Sequence, residues 1–279
     1  MLKIHFSFWI AAGIFLALGM GRIFFMLTIS VTAHELAHIL TARVLGLKAR
    51  QLKISALGEM AYIEQMDRLT SWKRGVIIAA GPFCNLLLWI GSLWAALLWA
   101  DPSEVIGMFG FYNLILFIFN LMPIFPLDGA RLFQLLGGNF FGAMSANRWT
   151  LRAGKVCCVI LMLLGIVQAA LYAPNFTMLI MGFVLYRKNR SLQVELIGEF
   201  YMAMLNKSHK LAEGPMPARL LCTTSDLPLK DVINYLTWDN ILVVFLTDQN
   251  NKTLTEIEII KYIIQNGLNN TLSDVDKMD

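Results

Sequence analysis

Thr32-Ala33-His34-Glu35-Leu36-Ala37-His38-Ile39-Leu40 places two histidines and a glutamate inside a long apolar run. A second such run, far downstream, ends in Asn120-Leu121-Met122-Pro123-Ile124-Phe125-Pro126-Leu127-Asp128-Gly129. Ionisable side chains at membrane depth are costly and rarely idle, so each is a candidate functional residue. The first stretch decides the fold class, because its histidines are spaced for one face of a helix and its neighbours are suited to lipid.

The composition agrees. Of 279 residues, 57% are hydrophobic and 15% charged, and the mean hydropathy is +0.60. A soluble domain is about half apolar and about a quarter charged, so the chain reads as an α-helical polytopic membrane protein. The net charge of +4 does not argue for nucleic acid as a partner, since the Lys and Arg residues flank the apolar segments instead. Cys84, Cys157, Cys158 and Cys222 show no metal-ligand spacing, and two of them are adjacent, so a disulfide framework is not expected. Lys3 ahead of Ile10–Leu18 has the look of a signal peptide, but the apolar run continues and the cleavage-site pattern is poor.

About six spans are expected, at 5–20, 23–45, 75–99, 105–122, 155–172 and 174–187, each near the ~20 residues a bilayer requires. Basic residues crowd the 43–74 and 123–155 connections and the start of the tail at Arg187-Lys188-Asn189-Arg190, while the 100–104 turn holds Asp101 and Glu104 and the 173–174 turn no charge. The positive-inside rule then puts both termini in the cytoplasm, with Arg22 the one basic residue on the other side. The alternation in 48–64, punctuated by Gly58, predicts a β-hairpin on the cytoplasmic side, either a plain surface ribbon or an edge strand able to pair with an extended peptide. From about 188 the composition turns polar. Residues 188–213 read as a helix or linker and 215–267 as a small α/β unit: a helix over Leu227–Leu236, a buried strand over Ile241–Leu246, a turn at 248–252, and a second helix with Thr255 as N-cap and Glu258 completing a capping box.

His34 and His38, four apart on a helix, share a face and can bind one ion. Glu35 lies about 100° round the helix, where it reaches a water at that ion without ligating it. Zinc suits imidazole plus carboxylate, and a catalytic zinc takes three protein ligands and leaves one position for water. Asp128 is the best candidate for the third ligand, although taken alone it could equally cap a helix starting near Gly129. Asn120 has a bland role open to it as well, satisfying backbone where Pro123 and Pro126 break the helix. Gly81-Pro82-Phe83-Cys84-Asn85 reads as a packing kink, and His5 and His209 as surface residues.

These residues resemble a family. His34-Glu35-Leu36-Ala37-His38 and Asn120-x-x-Pro123-x-x-Pro126-Leu127-Asp128-Gly129 are similar to the two signature motifs of the site-2 protease family of intramembrane zinc metalloproteases, with Ala80-Gly81-Pro82-x-x-Asn85 as a looser third. The resemblance implies a three-helix zinc core, with His34, His38 and Asp128 as ligands, Glu35 as general base and Asn120 positioning substrate. It also implies a strand region that holds the substrate extended. Leu57-Gly58-Glu59 departs from the double-glycine form familiar there. The tail resembles a single CBS motif, which divides the chain into a transmembrane metalloprotease domain (1–187), a linker helix (188–213) and a CBS-like cytoplasmic domain (214–279). By that resemblance the last domain binds ATP, with Thr255 and Glu258 at the nucleotide positions, and Glu258 stands where Asp is commoner. A six-span member with such a module resembles the sporulation-type subgroup, whose members cleave the pro-sequence of a mother-cell sigma factor. This implies a bacterial membrane around the forespore, a sigma-factor precursor as substrate, membrane inhibitory proteins as partners, and a homo-oligomer.

Three other functions compete: a site-2 protease acting on another tethered substrate such as an anti-sigma factor, a non-enzymatic nucleotide-sensing scaffold, and a metal transporter. An intact Glu35 argues against the last two, since neither needs a general base beside the ligands.

Overall fold

The computed structural model describes residues 2–4, 6–47, 49–55, 58–63, 69–98, 104–171, 176–207, 211–212, 214–248 and 252–276. In chain order these form β1 (Leu2–Ile4), α1 (Phe6–Ala17), α2 (Gly21–Val44), β2 (Ala49–Ser55), β3 (Gly58–Ile63), α3 (Ser71–Leu98), α4 (Glu104–Asn120), α5 (Asp128–Phe141), α6 (Ala143–Leu171) and α7 (Thr177–Leu205). The tail adds β4 (Ala218–Thr223), α8 (Leu229–Val232) with a 3-10 turn (Ile233–Tyr235), β5 (Ile241–Leu246), β6 (Thr253–Thr255), α9 (Glu256–Asn266) and α10 (Leu272–Asp276). The chain forms two compact units, one of residues 1–122 and 127–129, the other of 123–126 and 130–279.

In the first unit α2 packs on α3 and α3 on α4. The expected hairpin is present: β2 and β3 pair antiparallel with a register shift between Ala49 and Gln51, and β1 adds to β2 in parallel, which the sequence pattern does not foreshadow. Gly19, at φ +72°, turns the chain between α1 and α2, a conformation most side chains resist.

The protein is a membrane protein. Among the described residues three helices are long and apolar enough to cross a bilayer: Gly21–Val44, Ser71–Leu98 and Ala143–Leu171. The other three expected spans are shorter or run on into the next segment. The segment expected at 5–20 makes a 12-residue α1, about 18 Å long against a hydrocarbon thickness of about 30 Å. Helix α4 is apolar but 17 residues long. Helix α7 runs unbroken from the last expected span into the expected linker, and its apolar start gives way at Arg187.

In the second unit α6 packs on α7, and Phe125, Ala130, Leu151 and Leu196 form a buried cluster with Leu192 against it. The α/β tail holds a sheet of order β4-β5-β6, parallel then antiparallel. Strand β5 alternates buried with half-buried residues, so it is covered on one face, unlike the fully buried strand expected from its unbroken apolar run. The expected helix over Leu227–Leu236 is a single turn of α-helix followed by a 3-10 turn. Lys207, just past α7, is almost fully buried: its Nζ donates to Glu256 Oε1 at 2.6 Å and to Asn240 O at 2.9 Å, and Glu256 Oε2 accepts from the Leu242 N–H at 2.7 Å. Burial pushes the ammonium below and the carboxyl above its usual range, and each charge offsets part of the other's cost.

Candidate metal centre

Helix α2 carries His34 and His38 one turn apart, both buried, at 5% and 7% exposure. Their rings meet edge to face with the two Nε2 atoms 3.1 Å apart. Asp128 opens α5, and its Oδ2 lies 3.0 Å from His34 Nε2 and 3.3 Å from His38 Nε2. Gly129 allows that placement: a Cβ there would stand 2.2 Å from the Leu121 carbonyl oxygen. Asp128 thus sits at a helix start, where capping was the alternative reading, and directs a carboxylate oxygen at both imidazoles.

The Nδ1 atoms explain why the three groups need a cation. His38 Nδ1 faces the Ile77 carbonyl at 2.7 Å, and a carbonyl can only accept, so that nitrogen carries the proton. His34 Nδ1 donates to Asn85 Oδ1. With both protons on Nδ1, each Nε2 presents a lone pair, and two lone pairs converge on a carboxylate oxygen. Three acceptors within 3.0–3.3 Å repel unless a proton or a metal ion stands among them. Gly81 supplies room for the ion: a Cβ at that position would lie 2.3 Å from His38 Nε2 and 2.5 Å from His34 Nε2. Next to Gly81, helix α3 carries Pro82, which has no N–H to give its own helix. The donor set fits zinc.

Glu35 follows His34 on α2, is half-buried, and belongs with both histidines to a group whose ligand atoms lie within 4.8 Å of one another. Asn120 is turned back on its own helix, where its Nδ2 donates to the Leu116 carbonyl at 3.0 Å. Thr255 and Glu258 form the expected capping box of α9: Glu258 Oε2 accepts from the Thr255 N–H at 2.7 Å and Thr255 Oγ1 from the Glu258 N–H at 3.4 Å.

The sequence assigns three residues no role at the metal. Gly81 and Asn85 read there as a packing kink and as a looser third family motif, and nothing marks Asn113, which hydrogen-bonds Asn85 at 2.9 Å. Asn85 and Asn113 are fully buried amides inside apolar helices. The expense of such groups was the signal that could have found them.

Known proteins are similar to this chain in sequence and in fold. The model of peptidase family M50 matches residues 22–101 and 96–164. Stage IV sporulation protein FB of Bacillus subtilis is 28% identical over 58% of this chain and 57% of its own. A zinc metalloprotease of Methanocaldococcus jannaschii is 24% identical over 63% of this chain and 51% of its own. The chain thus spans little more than half the length of either relative. Among solved structures, the site-2 protease from Methanocaldococcus jannaschii shares the fold, with a TM-score of 0.54 and 21% identity over 68% of this chain and 89% of that one.

Proposed function

The chain belongs to peptidase family M50, the site-2 proteases, and on that premise we propose that it is an intramembrane zinc endopeptidase that cleaves a membrane-associated regulatory protein. One observation carries the reading: His34 Nε2, His38 Nε2 and Asp128 Oδ2 converge within 3.0–3.3 Å beside Glu35, in front of a glycine whose missing side chain leaves room for an ion. Zinc, when bound, supplies Lewis acidity toward water and the scissile carbonyl. His34, His38 and Asp128 hold it. Glu35 takes the proton of the attacking water and returns it to the departing amine nitrogen.

Substrate handling follows from the same physics. A helical substrate keeps its carbonyls hydrogen-bonded and must unwind before attack. Unwound backbone is not tolerated against lipid, so the opening must happen in a protein-lined, wet space. The break between α4 and α5 around Pro123 and Pro126 supports such a space; on this reading Asn120, at the end of α4, leaves its bond to the Leu116 carbonyl to engage substrate backbone, and the edge of the β1-β2-β3 sheet can pair with an extended segment.

For the substrate itself, likeness to stage IV sporulation protein FB favours the pro-sequence of a sporulation sigma factor. The same reading takes six spans, both termini in the cytoplasm, a catalytic domain over 1–187 and a C-terminal CBS-like module over 214–279. The test is co-expression, in a heterologous bacterium, of this chain with a sigma-factor precursor from the same organism. Cleavage by the wild type and none by Glu35→Gln at matched expression is expected. Cleavage by neither would remove the sigma-factor substrate, and cleavage by both would remove Glu35 as the base.

A further inference from the structure

Behind His34 the buried polar side chains stand in single file, one from each of three helices. Asn85 on α3, Asn113 on α4 and Ser30 on α2 are all fully buried. Asn85 Nδ2 donates to Asn113 Oδ1 at 2.9 Å. Asn113 Nδ2 donates to Ser30 Oγ at 3.0 Å and to the Phe109 carbonyl at 2.9 Å. Ser30 Oγ donates to the Met26 carbonyl at 2.9 Å. From this we infer that Asn113, backed by Ser30, is a positioning residue that fixes which nitrogen of His34 carries the proton, acting through Asn85. The inference rests on the reading of His34 as a metal ligand.

The direction of the file is dictated at its far end. Backbone carbonyls accept and never donate. The Met26 carbonyl takes the Ser30 hydroxyl proton, so the Ser30 oxygen offers a lone pair to Asn113. The Phe109 carbonyl also needs a donor, so Asn113 must present its Nδ2 to both and turn its Oδ1 toward Asn85. That leaves Asn85 only one productive orientation, Nδ2 toward Asn113 and Oδ1 toward His34. His34 then answers with Nδ1–H, and its Nε2 is bare on the ion side. Reversing the file would set the Asn113 oxygen against the Phe109 carbonyl oxygen at 2.9 Å, which is repulsive. His38 reaches the same tautomer more directly, from the Ile77 carbonyl. Outer-shell partners of metal-binding histidines act in this way, orienting the ring and selecting the tautomer.

The test compares wild type with Asn113→Leu and Ser30→Ala, the second removing one hydroxyl where the first endangers folding. Two readouts are taken: zinc affinity by chelator competition, and nitrogen NMR of the histidine-labelled, metal-free protein at pH 8, in which four histidines give a spectrum simple enough to assign. In wild type the Nδ1 of both His34 and His38 is expected to carry a proton, with or without a further proton shared among the Nε2 atoms and Asp128 while the ion is absent. In Asn113→Leu, His34 is expected to spread over both tautomers while His38 keeps its own, and zinc binding should weaken by about 10–100-fold. Ser30→Ala should move both readouts the same way by less. In the double variant Asn85→Asp/Asn113→Leu, a carboxylate accepts from His34 without needing an amide behind it, so zinc affinity should recover. A His34 Nδ1 without a proton in wild type, or an unchanged His34 spectrum and zinc affinity in both single variants, would overturn the inference. Absence of zinc binding in wild type would instead sink the metal reading, with the tautomer result still deciding the role of Asn113.

Discussion

Two imidazole nitrogens and a carboxylate oxygen that crowd within 3.0–3.3 Å define the chemistry at the residue scale. Left without a cation, each buried acceptor forfeits its partner at a cost of about 1–3 kcal/mol. Removing the charge of Asp128 should therefore weaken zinc more than loss of an outer partner does, beyond about 100-fold; Asp128→Asn retaining zinc in a chelator titration would contradict its role as third ligand. Glu35→Gln should leave zinc affinity near wild type and slow cleavage by about 10²–10⁴-fold, the usual worth of a general base. Gly81→Ala is the sharper test of geometry. Its methyl would lie 2.3–2.5 Å from both Nε2 atoms, so zinc content of the purified protein should fall to a small fraction of wild type. Full occupancy would move the ion elsewhere.

Elements divide into those the sequence made legible and those it did not. The histidine pair and the capping box were readable because each is a local spacing rule on one helix. The hairpin was readable from alternation about Gly58. What escaped depends on a second element: Gly81 matters only because α2 brings two rings against it, Asn113 only because α3 presents Asn85, and β1 only because β2 lies beside it. The union of linker and last span in α7 was missed because the composition changes at Arg187 while helical geometry does not. In the tail, Lys207 and Glu256 tie the end of α7 to the start of α9. Glu256→Ala strands a buried ammonium, and truncating one partner of such a pair costs about 3–5 kcal/mol, so residues 214–276 should become protease-sensitive at lower urea than in wild type. Asp248 accepts from the Ser225 N–H at 3.0 Å and from its hydroxyl at 2.7 Å, which hold its carboxyl below the usual range. A depressed folded-state value gives stabilisation present above the ordinary carboxylate range and lost as pH falls through the folded value. Hydrogen exchange at the Ser225 amide should stay protected through the ordinary carboxylate range at about pH 4 and open only at lower pH, as the depressed folded-state value is crossed, whereas Asp248→Ala should be open throughout.

At the scale of the whole molecule, charge and hydropathy act together. Three long apolar helices commit the chain to a bilayer, and the Lys and Arg residues collect in the connections expected on one side of it. Reporter fusions at residues 1 and 279 should both report the cytoplasm; a translocated C-terminal fusion would overturn the six-span arrangement. On the proposed reading Glu35 then works inside the membrane, where peptide bonds of spanning segments are otherwise out of reach of water. The most direct test of the account is a survey of new protein N-termini in membranes of cells expressing wild type or Glu35→Gln at equal levels. Cleavages within or beside membrane-spanning segments that occur in wild type and vanish with Glu35→Gln are predicted. Identical sets of N-termini in the two samples would contradict an intramembrane protease.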